Sequence, residues 1–109
     1  MAEQTSQRGV HKRVDGSTAR LRLSGELDVH GASRVTDELA ELAAAGPHSV
    51  IVDVADVTFL DSTGLRALIV GRDQIRESGA SFQLEGVGGV VERVLTMTGL
   101  HDFLTGTDG

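Results

Sequence analysis

The chain contains no cysteine, which removes a disulfide framework, a thiolate nucleophile and any Cys-ligated zinc. No apolar run approaches the roughly 20 residues a membrane span requires. The opening stretch Met1-Ala2-Glu3-Gln4-Thr5-Ser6-Gln7-Arg8 also lacks the apolar core of a signal peptide. Positive charge is scarce: ten Lys+Arg face sixteen Asp+Glu, for a formal net charge of −6. That balance cannot supply the phosphate-neutralising surface of a general nucleic-acid binder. Proline occurs once, at Pro47 behind Gly46, and marks a connection rather than a linker. These absences leave the expectation of a soluble, cytoplasmic domain with neither membrane nor nucleic acid as partner. At 109 residues there is room for one domain. A chain this long buries roughly two-thirds of its unfolded surface, so no disulfide or metal staple is needed.

Hydropathy patterning organises what is present. Residues 1–9 and 105–109 are polar without periodicity and are expected to be flexible tails around a domain spanning 10–104. Val10 to Val14 reads as a strand, and Asp15-Gly16 supplies residues that tolerate positive φ in a hairpin turn. Ala19, Leu21 and Leu23 then alternate with Thr18, Arg20 and Arg22, giving a strand with one wet face. From Ala32 the period lengthens. Ala32, Val35, Leu39, Leu42 and Ala43 mark an amphipathic helix stopped by Gly46-Pro47. Ser49 to Val54 is β-branched and nearly continuously apolar, as in a parallel strand buried on both faces. Leu65, Leu68, Ile69 and Ile75 mark a second helix that closes near Ser78-Gly79. Ala80 to Glu85 is a short strand. Val90, Val91, Val94 and Leu95 predict a third helix ended by Gly99, with a last short element over Leu100 to Leu104. The order is β-β-α-β-α-β-α, an α/β mixed sheet with a hairpin edge.

Two segments carry candidate chemistry. Thr58-Phe59-Leu60-Asp61-Ser62-Thr63-Gly64 lies between the apolar strand and the second helix, where α/β folds place functional loops. Asp61 or Ser62 is suited to N-cap that helix. A serine hydroxyl at a positive helix end would also welcome an added phosphate. Ser24-Gly25-Glu26-Leu27-Asp28 precedes the first helix as a strand-to-helix loop. If the two strands are parallel neighbours, Asp28 comes close to Ser62.

In order and spacing, Gly25-Glu26-Leu27-Asp28, the strand Val50 to Val54, Phe59-Leu60-Asp61-Ser62-Thr63-Gly64-Leu65 and Thr98-Gly99-Leu100 resemble the STAS family. More narrowly, they resemble the single-domain anti-sigma factor antagonists of bacteria. The resemblance covers residues 10 to 104. It implies a STAS-type mixed β-sheet with an N-terminal hairpin and helices packed mainly on one face. It also implies a binding switch rather than an enzyme. Ser62 would be phosphorylated by a serine/threonine kinase that is itself the anti-sigma factor, with Thr63 a secondary acceptor. The unphosphorylated form would bind that kinase through Asp28, Asp61, Ser62, Thr63 and Gly64 and release a sigma factor, and a PP2C-type phosphatase would restore it. No cofactor or metal is implied, and a monomer or weak dimer is expected. Within the same fold the alternative is a scaffold subunit of a stress-signalling assembly.

Catalytic readings fit the residues poorly. The Asp61-Ser62-Thr63-Gly64 run has one residue too many for the Asp-Ser/Thr-Gly loop of aspartic proteases, and a helix follows where that fold requires strands. Ser62 lacks the Gly-x-Ser-x-Gly surroundings of a hydrolase nucleophile. His11, His30, His48 and His101 are scattered, without metal-ligand spacing. A receiver-type phospho-aspartate at Asp53 would want a nearby lysine, and the chain's one lysine is Lys12. Gly86-Val87-Gly88-Gly89 lacks the Gly-Lys-Ser/Thr ending of a P-loop and reads as a turn. Arg66, one turn beyond Ser62, stands on the exposed side of the second helix.

Overall fold

A computed structural model describes residues 3–7 and 9–105, with side chains from residue 9 onward. Five strands form one mixed sheet in the order β1-β2-β3-β4-β5. They are β1 (Glu3–Gln7), β2 (Val10–Asp15), β3 (Thr18–Leu27), β4 (Ser49–Leu60) and β5 (Ser81–Glu85). The helices are α1 (Val29–Ala45), α2 (Ser62–Glu77), α3 (Gly89–Thr98) and α4 (His101–Thr105). β1, β2 and β3 are antiparallel, whereas β3, β4 and β5 run parallel.

Spatial order equals chain order, and this places the helices. Each β-α-β crossover steps one strand in the same direction, so right-handed connections put α1 and α2 on the same face. Side-chain exposure agrees. Ala19, Val50 and Phe82 lie in register across β3, β4 and β5, as do Leu21, Val52 and Leu84, and all six are buried. Val35, Leu39 and Leu42 of α1 and Leu65, Leu68 and Ile75 of α2 cover them, and Val91, Leu95 and Leu104 extend the same core. Full burial of one such side chain contributes about 1.5–3 kcal/mol. Helix and strand ends fall where chain stiffness changes. α1 stops at Gly46 with φ 76°, followed by Pro47, and the β2–β3 hairpin turns at Gly16 with φ 63°.

Three expectations are corrected. Residues 3–7, expected within a flexible tail, form the edge strand β1, paired from Glu3 opposite Val14 to Gln7 opposite Val10. An edge strand held by its backbone ladder needs no apolar pattern, so none was there to read. β4 is not buried on both faces: Val50, Val52 and Val54 are buried, but Ile51 and Asp53 are only half-buried on the side away from the helices. Finally, β3 and β4 run past their expected ends at Ser24 and Val54 to Leu27 and Leu60, so the supposed loops are mostly strand. Of the expected C-terminal tail, Thr105 closes α4 and residues 106–109 lie outside the described residues.

Lys12 links the sheet to the helices by two ion pairs. Lys12 Nζ lies 3.3 Å from buried Glu38 Oε1 and 3.5 Å from Glu41 Oε1, tying β2 to α1. Among the described residues, no helix is long and apolar enough to cross a membrane, and no group of three or more His, Asp or Glu side chains could hold a metal ion.

Candidate functional site

The parallel pair β3 and β4 ends level, with Leu27 opposite Leu60. Two register shifts, between Arg22 and Ser24 and between Gly25 and Glu26, keep the strands together to that point, and Gly25 adopts φ 80° there. Such irregularities re-aim strand ends beside functional sites. Each strand is followed at once by an aspartate and a helix. Asp28 Oδ1 accepts from the backbone N–H groups of His30 at 3.0 Å and Gly31 at 3.1 Å, capping α1. Asp61 Oδ1 accepts from the N–H of Gly64 at 3.0 Å, capping α2. Two positive helix ends therefore stand side by side, each satisfied by a carboxylate.

Two glycines make this closeness possible. A Cβ at Gly31 would overlap the Glu26 carbonyl oxygen. One at Gly64 would overlap the Leu27 carbonyl oxygen and stand 2.8 Å from Leu27 Cβ and 2.9 Å from Leu60 Cδ1. The same Asp-x-x-Gly spacing thus builds both helix starts, at Asp28 to Gly31 and at Asp61 to Gly64. That recurrence is the signal by which sequence reasoning alone could have paired the two segments.

The sequence-derived residues now have places. Asp61, not Ser62, provides the α2 cap, which leaves the Ser62 hydroxyl exposed at the first helical position, outside the capping bond. Thr63 is exposed beside it, whereas Gly64 is buried. Asp28 and Asp61 are half-buried, one residue beyond the paired Leu27 and Leu60. The structure therefore brings the two motifs to one edge of the molecule. Arg66 lies one turn further along α2 and lines a groove of 380 Å³ between α1 and α2, with Val29, Ala32, Thr36, Thr63 and Val70.

Sequence reading passed over the apolar surface beside Ser62. Val29 is 61% exposed and Phe59 is 44% exposed. Val29, Ala32, Ser33 and Thr36 form a second stripe on α1, offset from the core stripe of Val35, Leu39 and Leu42. Its small side chains leave the groove open. The remaining candidates are structural. Asp53 Oδ1 accepts from the Ala55 N–H at 2.9 Å, and Gly88 precedes α3 as its N-cap in extended conformation.

The Gly31 N–H, more than any other group, holds the Asp28 carboxyl below its ordinary value of 3.8, with the His30 N–H assisting and burial opposing. A carboxyl whose folded pKa is depressed stabilises the fold above its unfolded pKa, and this contribution disappears as pH falls through the folded value. A carboxyl-carbon NMR titration should therefore place the Asp28 midpoint below 3.8. In urea unfolding, the advantage over Asp28→Asn should be complete above about pH 4 and fall away in stronger acid. A midpoint at or above the ordinary value would contradict the capping role.

Comparison with known proteins follows this geometry. The STAS domain family matches residues 10–108. Anti-sigma-F factor antagonist RsfB of Mycobacterium tuberculosis is 31% identical over 99 residues, covering 82% of this chain and 80% of that protein. An anti-sigma-B factor antagonist of Staphylococcus epidermidis is 28% identical over 89 residues, 82% of each chain. Among solved structures, the anti-sigma factor antagonist SpoIIAA in its unphosphorylated form superposes with a TM-score of 0.69 at 20% identity, over 92% of this chain and 82% of that one. Its phosphorylated form gives a TM-score of 0.66 at 19% identity, over 92% and 85%. Those two likenesses are of fold.

Proposed function

Because the chain belongs to the STAS domain family, and relatives up to 31% identical are anti-sigma factor antagonists, we propose that it is an anti-sigma factor antagonist switched by phosphorylation of Ser62. Unphosphorylated, it binds an anti-sigma factor that is also a serine/threonine kinase, and the sigma factor is released. Phosphorylation of Ser62 by that kinase ends the association, and a PP2C-type phosphatase reverses it. The contact surface comprises Asp28, Asp61, Ser62 and Thr63, with Gly64 setting how closely α2 approaches β3. Val29 and Phe59 add exposed apolar area beside it.

One observation carries this reading: the Ser62 hydroxyl is exposed at the first position of a helix whose cap is another residue. A phosphoryl group there adds about −1.5 to −2 charges. The amides of α2 tolerate that charge, so the fold persists. A partner surface fitted to a neutral hydroxyl does not, because the doubly charged group must be desolvated and repels any acidic groups facing it.

Phosphopeptide mapping of the protein from its own host tests this directly. Trypsin releases a peptide from Val35 to Arg66 that contains both hydroxyls, and fragmentation separates Ser62 from Thr63. Phosphate on Ser62 in part of the population is expected. Phosphate on Thr63 alone would favour a scaffold role in a stress-signalling assembly. No phosphate in growing or stressed cells would count against the switch.

A further inference from the structure

Position 66 breaks the charge pattern expected of α2. A cation in the N-terminal half of a helix gains nothing from the helix dipole, and its best local partner is an acid three or four residues earlier. The residues three and four positions away from Arg66 are Ser62, Thr63, Ile69 and Val70, none of them charged. Across the groove α1 presents Val29, Ala32, Ser33 and Thr36, again without a carboxylate. Among the described residues the Arg66 guanidinium has no hydrogen bond or ion pair, whereas Arg72 on the same helix is held by Asp73 at 3.2 Å. Ser62 stands four residues earlier, where an acid would serve best. Helical side chains lean toward the preceding turn, so Arg66 lies over the turn that Ser62 opens, and both residues are exposed.

We infer that Arg66 is the internal counter-ion of phosphorylated Ser62. The inference rests on Ser62 being the residue that carries the phosphate, and adds what holds the phosphoryl group once it is there. Phosphate oxygens accept from the guanidinium fork in a charge-assisted pairing, in the favourable order of acid four residues before base. The pairing answers a local need. Asp61 precedes Ser62 directly and Asp28 caps the neighbouring helix beside His30, so a dianion at Ser62 adds to negative charge already present at the two helix starts. Arg66 is the arginine of α2 within one turn that can offset it. The groove changes as well, because a guanidinium that lines it in the unphosphorylated protein becomes engaged at the helix start. One modification thereby alters two adjoining surfaces.

The test uses the full chain with phosphoserine installed at position 62 during synthesis, titrated by phosphorus-31 NMR at about 0.15 M ionic strength. A neighbouring cation favours the dianion, so the second ionisation of the phosphate, ordinarily near pH 6, is displaced downward. Its midpoint should lie about half a pH unit lower in the native sequence than in Arg66→Gln. Arg66→Lys should fall between them, since a point charge keeps the attraction and loses the fork. Arg76→Gln removes the same charge from the last turn of α2 and should titrate as the native sequence does. The Arg66 Nε–H resonance should move with the phosphate midpoint. Equal midpoints in the native sequence and Arg66→Gln would overturn the inference. Equal rises in Arg66→Gln and Arg76→Gln would overturn it too, because net charge alone would then explain the shift. These outcomes do not depend on a kinase: absence of phosphate in the host would remove the switch and leave the midpoints unchanged.

Discussion

Under the proposed switch, Ser62→Asp is expected to weaken binding to the anti-sigma factor partner more than about 100-fold, the equivalent of roughly 3 kcal/mol, while leaving the fold intact. The two halves of this result have separate causes. The carboxylate enters the first turn of α2, where negative charge stabilises a helix by about 0.3–1 kcal/mol, so thermal stability should stay level or rise slightly. Affinity falls because the new charge meets the partner beside Asp28 and Asp61, whose carboxylates already satisfy the two helix ends. Ser62→Ala removes the acceptor without adding charge, so it should bind within a few-fold of the native protein and resist the kinase. Calorimetric titration of the three forms, each with a melting curve, checks both halves. Native affinity in Ser62→Asp would exclude the switch, and lost affinity accompanied by unfolding would mean the site was never tested.

Gly64→Ala should be the most damaging single-methyl change at the site. The added Cβ meets the Leu27 carbonyl oxygen, a backbone atom that cannot rotate aside, and crowds Leu27 Cβ at 2.8 Å and Leu60 Cδ1 at 2.9 Å. Overpacking of this kind costs about 3 kcal/mol, against about 1 kcal/mol gained in helix propensity. The net loss of about 2 kcal/mol corresponds to a fall in Tm of roughly 8–16 °C for a domain near 100 residues. Gly88→Ala is the matched control, since nothing lies within 4 Å of a Cβ there and its φ of −172° is ordinary extended backbone. That variant loses only the advantage of glycine over alanine at the α3 N-cap, about 0.5 kcal/mol, and should melt within about 4 °C of the native protein. If Gly64→Ala does the same, α2 does not depend on close approach to β3. Below its lowered Tm, Gly64→Ala should still bind the partner more weakly, because displacing the first turn moves the Ser62 hydroxyl.

Much of this architecture was legible where side chains carry the information. The Asp15-Gly16 turn, the α1 stripe ending at Gly46-Pro47 and the placing of Asp61-Ser62-Thr63-Gly64 at a helix start all follow from local chemistry. Backbone-determined features were not legible. β1 pairs through its main chain and leaves no periodic trace. Beyond Asp53, β4 has lost β5 as a neighbour, so Asp56 and Thr58 can face water within a continuing strand and imitate a loop. The nearly continuous apolar run from Val50 to Val54, broken only by Asp53, suggests two covered faces, because Ile51 on the open face is as hydrophobic as its buried neighbours. Which of Asp61 and Ser62 caps α2 depends on one hydrogen bond, and both residue types make it equally well.

The identity of spatial and chain order has a bearing on how the molecule assembles. Every strand pairs with the one synthesised just before it, so no strand must wait for a later segment to be inserted between two earlier ones. The β2–β3 hairpin can form first, and each β-α unit then adds to an existing edge as it emerges, with loop closure confined to one helix and its turns. Growth from one end leaves the outer edge of β1 and one advancing edge unpaired, and each newly opened edge is covered by the next β-α unit to emerge, which limits the opportunity for intermolecular strand pairing during synthesis.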